Sequence, residues 1–457
     1  MKFHKASIYI ITYLSKLNKM TINLKNLLNP NTKTSKMGDF QELKSIEGLS
    51  ISAVSADLYG DGRDDLSLFY FKDGAKYAAL YTKSNIVSES IHWNLKIKSK
   101  FVRALLVNTK NANTFTGKQG FQGLKKLSRS LSKYLTLKLA QAPKGIRDAI
   151  DTNEIIFAST GVIGDVFPTE KIKERIPYLI QNLKDIQNKY VWLKAASSIL
   201  TTDTRPKLAF EECEIGSKKI KISAIAKGSG MIAPKLNYNH ATMLAFIFTD
   251  ANIPSAVLKG LLSRNINTTF NAITVDGDTS TNDAVMIFAT GKIKNSKIYN
   301  ILDPKLKRFE KALHNVMLNL SKQIVVDGEG AKKFVTINVS KARSMQGAKK
   351  IAFSVANSPL VKTAVAGEDP NYGRIIMAIG KSKENIAPNN LTIRFGKFTV
   401  VENGKQIDNY NEEIVKDYMR WNAIEINIEL NMGKSNFTVY TCDFTKDYID
   451  INTDYRN

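Results

Sequence analysis

The chain has 457 residues and a mass of 51.0 kDa, about three times a typical domain of roughly 150 residues, so one very large domain or two to three domains are expected. Hydrophobic residues at 43% and charged residues at 24% exclude a wholly disordered or collagen-like chain. No apolar run approaches the ~20 residues that cross a bilayer, so no membrane partner is expected.

The 66 basic residues against 42 acidic ones give a net charge of +24, which would favour an anionic partner if it were clustered. It is spread instead, with Lys accompanying Asn and Ile along the whole chain and no zinc-finger or RRM motif beside it, so no nucleic-acid partner is expected. Cys213 and Cys442 cannot form a disulfide framework, which suits a reducing compartment.

Residues 1–36 carry seven Lys and no acid. An organelle-targeting peptide is one reading, with a mitochondrial protein as its consequence. The absence of Arg, and Met20 and Met37 as alternative starts, favour a disordered extension on a cytoplasmic protein. Past Met37 strands and helices alternate, and the fold class expected is α/β, mixed sheets layered with helices.

The stretch from Ala56 to Leu66, ADLYGDGRDDL, resembles a calcium loop, with Asp57, Asp61 and Asp65 at positions one, five and nine. Tyr59 and Leu68 occupy the third and twelfth positions, where ligands are required. A turn between strands is the expected structure. His4, His92, His240 and His314 show no HExxH spacing, and neither GxSxG nor a P-loop is present, so serine, zinc and nucleotide chemistry have little support.

From Lys227 the chain reads KGSGMIAPKLNYNHATMLAFIFTDA, with Ala241 directly before Thr242. A Thr inside a chain has no strong base beside it. If the Ala241 to Thr242 bond were cut, the freed α-amine, of reference pKa about 7.7 to 8.0, would sit beside its own hydroxyl and accept its proton. Gly228 and Gly230 allow the sharp backbone path that strains such a bond. Taken alone, an Ala-Thr pair before an apolar segment is ordinarily just structure.

Val275 to Asp283, VDGDTSTND, offers three carboxylates without metal-site spacing and suits a rigid, internally hydrogen-bonded loop. A helix is predicted from about Pro304, capped by Asp303, with Leu306, Phe309, Leu313, Val316, Met317 and Leu320 on its buried face. His314 borders that stripe as a packed or surface residue. Ile424, Ile426, Ile428, Leu430 and Met432 alternate with polar residues and mark a half-buried strand.

Seven segments, STGVIGD at Ser159, TTDTRPK at Thr201, AKGSGMIAP at Ala226, ATMLAFIFTDA at Ala241, TFNAITVDGDTSTND at Thr269, VKTAVAGEDPNYGR at Val361 and YIDINTDYRN at Tyr448, together resemble the ornithine acetyltransferase family, also called glutamate N-acetyltransferases. They occur in family order over nearly everything after residue 38. The resemblance implies a precursor that cuts itself between Ala241 and Thr242 into an α chain, here residues 37–241 behind the extension, and a β chain, residues 242–457. It also implies the family's own fold, an N-terminal-nucleophile-like mechanism and an α2β2 assembly.

It further implies ping-pong transfer of acetyl from N2-acetylornithine to glutamate in arginine biosynthesis, with Thr242 as the nucleophile and no metal or bound cofactor. Thr160 and Gly161 would form the oxyanion hole. Thr201, Lys227, Glu329, Asn452 and Asn457 match substrate-binding positions, with Lys227 suited to the substrate carboxylate and Glu329 to its amino group. Taken singly, Lys227 and Glu329 are the kind of residue most often found as solvated surface charges. Some members also take acetyl-CoA as a substrate, which these residues do not decide.

Three departures stand out. Asn457 ends the chain where Thr or Ser is usual, Lys110 replaces a common Gly beside an altered Thr114 and Phe115, and about four extra residues precede Ala241, a length a surface bulge absorbs. The remaining readings are a Thr-nucleophile aminopeptidase or amidase, and an uncleaved, non-catalytic binding protein.

Overall fold

The computed structural model describes residues 41–99, 101–140, 149–236 and 243–454. The basic extension, Ala241, Thr242 and Asn457 lie outside the described residues.

The first part of the chain supplies β1 (Leu49–Val54), β2 (Leu66–Tyr81), α1 (Glu89–Lys96), β3 (Val102–Asn108), α2 (Gly117–Ala140) and β4 (Ile155–Ser159). It continues with α3 (Thr169–Gln181), α4 (Lys189–Ser198), β5 (Lys207–Ile215) and β6 (Lys218–Lys227). Then come β7 (Leu244–Thr249), α5 (Ser255–Asn265), β8 (Ala284–Ala289) and α6 (Lys307–Val326). Their strands form one eight-stranded sheet in the order β4-β3-β2-β8-β7-β6-β5, with β1 joined to β2.

The second part supplies β9 (Phe334–Ala342), α7 (Met345–Ala356), α8 (Pro359–Ala366), α9 (Tyr372–Gly380), β10 (Thr392–Phe395), β11 (Phe398–Glu402) and β12 (Lys405–Gln406). It closes with α10 (Glu412–Met419), β13 (Ala423–Glu429), β14 (Ser435–Cys442) and α11 (Lys446–Asp454). These strands form a six-stranded sheet, β12-β11-β10-β13-β9-β14. Sheets covered by helices make this a layered α/β structure, as expected.

The central strands β7, LAFIFT, and β8, AVMIFA, are buried at every position, as strands covered on both faces require. On one face Leu258 and Leu261 of α5 pack with Phe309 and Leu313 of α6. On the other, Trp192 of α4 meets Phe69, Phe248 and Phe288, with the rings of Phe248 and Phe69 stacked 5.0 Å apart.

The predicted helix forms with its expected stripe buried, and the Asp303 carboxylate accepts from the Lys305 amide. Its first turn, Pro304–Leu306, is 3-10, and the α-helix runs from Lys307. His314 is half-buried beside the Thr268 hydroxyl, and burial lowers its pKa. The predicted strand is β13, whose burial alternates along its length. It stops at Glu429 because Asn431 takes a left-handed φ of 49°, so Leu430 and Met432 continue the pattern in a turn.

The stretch Ala56 to Leu66 is the turn from β1 into β2. Asp65 closes it by accepting from the amides of Ala56 and Leu58, both at 2.6 Å. Among the described residues no group of three His, Cys, Asp or Glu is arranged to hold a metal ion.

Strand direction places the functional cleft. β6 ends at Lys227 against Leu244, where antiparallel β7 begins, and parallel β8 begins beside it at Ala284. The boundary expected between residues 241 and 242 would therefore divide strands that share one sheet: β6 pairs with β7, and β2 pairs with β8. Phe248→Ala, which empties the centre of the aromatic layer, should cost about 3–5 kcal/mol, read by denaturant unfolding. A loss under about 1 kcal/mol would show that this layer does not hold the sheet.

Candidate active site

Parallel β3 and β4 end side by side at Asn108 and Ser159, and the chain leaves β4 through Thr160 and Gly161. The Thr160 amide donates to the Asn108 carbonyl and the Val162 amide to that of Lys110. Between them Gly161 has φ 133°. A Cβ there would lie 2.2 Å from the Lys110 carbonyl carbon, so only glycine fits. Lys110, at the position where the resembled family commonly carries Gly, takes φ 70°, which gives that preference a backbone cause. The Gly161 N–H has no partner among the described residues and borders the cleft.

Asn282 ties this shelf to the start of β8. Its amide nitrogen donates to the carbonyls of Ala112 and Ser159, the latter at 2.8 Å, and its oxygen accepts from the Thr114 and Thr281 hydroxyls.

Lys227 enters from the end of β6, only 4% exposed. Its ammonium donates to the Thr201 hydroxyl oxygen at 2.8 Å and to that of Thr160 at 3.2 Å. Accepting from Lys227 leaves the Thr160 O–H free to donate elsewhere. Burial lowers the Lys227 pKa and the Asp203 charge opposes the shift.

Asp203 lies under this floor, 3.8 Å from the Lys227 ammonium. One carboxylate oxygen accepts from Lys207 and from the Gly228 amide at 2.6 Å, and the other accepts from the Thr201 amide at 3.2 Å. Lys207 is shared with Asp327, which also holds the amide and hydroxyl of Thr204. Burial would push the Asp203 carboxyl up, but Lys207 and Lys227 hold it well below the usual carboxylate range. Asp327 goes the other way, raised by burial against the pull of Lys207.

The opposite wall is Glu329, 7% exposed, just past the end of α6. Its amide donates to the Ser229 carbonyl, and its carboxylate accepts from the Asn452 side chain at 2.8 Å. It lies directly over Gly230, where a Cβ would come within 2.3 Å of Oε2. Asp276 holds the glycine-rich loop beneath it, accepting from the amides of Met231 at 2.6 Å and Ile232 at 2.9 Å. Burial raises the Asp276 pKa to about 6.

Thr160, Gly161, Thr201, Lys227, Glu329 and Asn452 thus line one cleft, and Lys227 and Glu329 are buried there, not solvated at the surface. Thr242 and Asn457 of the expected set lie outside the described residues. Met243, the residue after Thr242, is buried at the mouth of β7.

Sequence reasoning missed the carboxylates that hold these groups. Asp203 and Lys207 stood in TTDTRPK without a role. Asp276 bonds the Asp278 amide within its own loop, as a rigid loop predicts, but its larger task is to hold the neighbouring one. Fixed donors beside a buried lysine and a carboxylate suit a zwitterionic ligand and an oxygen that becomes negative.

The sequence model of the ArgJ family matches residues 50–457. The arginine biosynthesis bifunctional protein ArgJ of Mesorhizobium japonicum is 41% identical over 92% of this chain and 97% of its own length. The protein of the same name from Gluconobacter oxydans is 41% identical over 91% of this chain and 93% of its own. A solved chain of the Bacillus halodurans protein is 38% identical, with a TM-score of 0.44 over 46% of this chain and 98% of that one.

Asp203→Asn removes the charge that two buried lysines share. It should cost about 3–5 kcal/mol in denaturant unfolding, and adding Lys207→Met should recover part of the loss. A single variant as stable as the parent would mean that the network does not organise the floor.

Proposed function

Because the chain belongs to the ArgJ family, we propose that it is a self-processing acyltransferase of arginine biosynthesis, carrying acetyl from N2-acetyl-L-ornithine to L-glutamate. In this reading the chain severs its own bond between Ala241 and Thr242, and the new α-amine of Thr242 serves as base to the hydroxyl of the same residue. The Oγ–carbon bond forms as the hydroxyl proton passes to the amine. The Thr160 hydroxyl and the Gly161 N–H stabilise the oxygen that becomes negative. Collapse breaks the carbon–nitrogen bond, and the proton leaves with ornithine. Glutamate then takes the acetyl group on its α-amine by the reverse steps.

Lys227 holds the substrate carboxylate and Glu329 its amino group, with Thr201, Asn452 and Asn457 completing the pocket. Departing ornithine and arriving glutamate present the same α-amino-acid head, so one set of contacts serves the amine that leaves in the first half-reaction and the amine that attacks in the second. The observation that carries this reading is the convergence of Thr160, Gly161, Thr201, Lys227, Glu329 and Asn452 on one cleft, at the end of the sheet where β7 begins.

The pairing of β6 with β7 and of β2 with β8 supports the two pieces remaining one body after the cut. Two such bodies associate as α2β2 in this proposal. The word bifunctional in the relatives' names supports acetyl-CoA as a second donor, which would make N-acetylglutamate directly.

Purified protein given N2-acetylornithine should release ornithine only when glutamate is present, with N-acetylglutamate formed in equal amount. Release of acetate at the same rate without glutamate would overturn transfer in favour of an amidase. Thr160→Ala should lower kcat by about 100- to 1000-fold in steady-state assays and leave the chain cleaved. Undiminished turnover would remove Thr160 from the oxyanion hole.

A further inference from the structure

The segment from Val361 to Arg374, VKTAVAGEDPNYGR, lines no part of the cleft, yet it carries a buried cation. Lys362 of α8 is 2% exposed. Its ammonium donates to the Thr441 hydroxyl oxygen at 2.9 Å and to the Cys442 carbonyl, and it stands 4.6 Å from the centre of the Phe444 ring. Its own carbonyl accepts from the Phe444 amide at 3.3 Å. Each of these partners is uncharged, so the ammonium is desolvated with no carboxylate bonded to it, a costly arrangement. All of them belong to one short stretch, the end of β14 and the turn beyond it.

That turn is tied on its other side to the loop that carries Glu329. Asp443, 1% exposed, accepts from the amides of Lys332 and Lys333 through one carboxylate oxygen, both at 2.9 Å. Its second oxygen accepts no hydrogen bond among the described residues. Burial raises the Asp443 pKa, and the two amides and the Lys362 charge oppose the rise. The Thr445 hydroxyl donates to the Gly330 carbonyl at 2.7 Å. Beyond it α11 starts at Lys446, the Phe444 ring stacks on Tyr448 at 4.7 Å, and one turn later Asn452 reaches Glu329. Lys362 thus fixes the turn from one side, Asp443 and Thr445 fix it from the other, and the path of α11 is set between them.

We propose that Lys362 is a positioning residue for ligand binding: by clamping the turn after β14 it sets where Asn452 meets Glu329, and with that the affinity of the cleft for an amino-acid ligand. The proposal rests on the reading above that Glu329 receives the ligand's amino group. Asn452 and Glu329 hold the ligand in the ground state and the transition state alike, so loosening them should cost affinity and not turnover. Lys362→Met keeps the length of the stem and removes the ammonium. The KM for N2-acetylornithine and the Kd for L-ornithine, from calorimetric titration, should each rise about 10-fold or more, with kcat within about twofold of the parent.

Thr445→Val cuts the same path nearer the cleft and should raise both constants, so the test stands even where Lys362→Met does not fold. Ile393→Ala, in the core of the small sheet three strands from β14, should lower the unfolding midpoint and leave both constants unmoved. Wild-type protein that binds no ornithine removes the functional reading and this proposal with it. Where the wild type binds ornithine, folded variants of Lys362 or Thr445 with unchanged constants, or with kcat lost at constant KM, overturn this proposal alone. An equal rise of both constants in Ile393→Ala overturns it too, since general loosening of the sheet would then account for the effect.

Discussion

The floor of the cleft depends on one buried carboxylate bonded from three directions. Asp203 holds the Thr201 turn by its amide, the end of β6 by the Gly228 amide, and Lys207, which it shares with Asp327 just beyond α6. Burying these charges costs desolvation, and such a cluster is weak evidence for stability in itself. Its effect is geometric: three separate stretches of chain can meet only in the arrangement that satisfies every charge. Lys227 stands on that floor, and its ammonium orients the hydroxyls of Thr160 and Thr201 together. Asp203 therefore acts on the Thr160 shelf through the lysine.

The glycines of the cleft answer three different constraints. Gly161 is required by a left-handed φ and by the Lys110 backbone pressed against it. Gly230 is required by the Glu329 carboxylate above it, and Gly330 by the Tyr448 backbone, which brings α11 and Asn452 into reach. The last contact links the small sheet's side of the molecule to the large one's. If the chain parted before Thr242, ladder hydrogen bonds on both sides of β7 would keep that strand paired with β6 and β8.

Much of this was legible in the sequence wherever a local pattern carried it. The apolar stripe of α6 and the alternation of β13 announced their own burial, since helix and strand periods are properties of neighbouring residues. The residues that line the cleft were named through the resemblance, not through periodicity: Lys227 and Glu329 taken singly suggest solvated charges, and the structure buries both. Asp203, Asp327 and Asp276 were not legible, because their partners lie far along the chain and a carboxylate's partners leave no periodic trace. The Asp65 loop was ambiguous for a related reason. A carboxylate that accepts from two backbone amides and one that ligates calcium can occupy the same spacing.

The claim at the centre of this account is that residue 242 carries a free amine and an acetyl ester in turn. Its most direct measurement is the intact mass of the chains after exposure to N2-acetylornithine with no acceptor present, followed by fragmentation of the labelled piece. The account predicts two chains parted between residues 241 and 242, with one acetyl group on the side chain of Thr242. A single chain of 51.0 kDa that still transfers acetyl, or an acetyl group lodged on another residue, would contradict it.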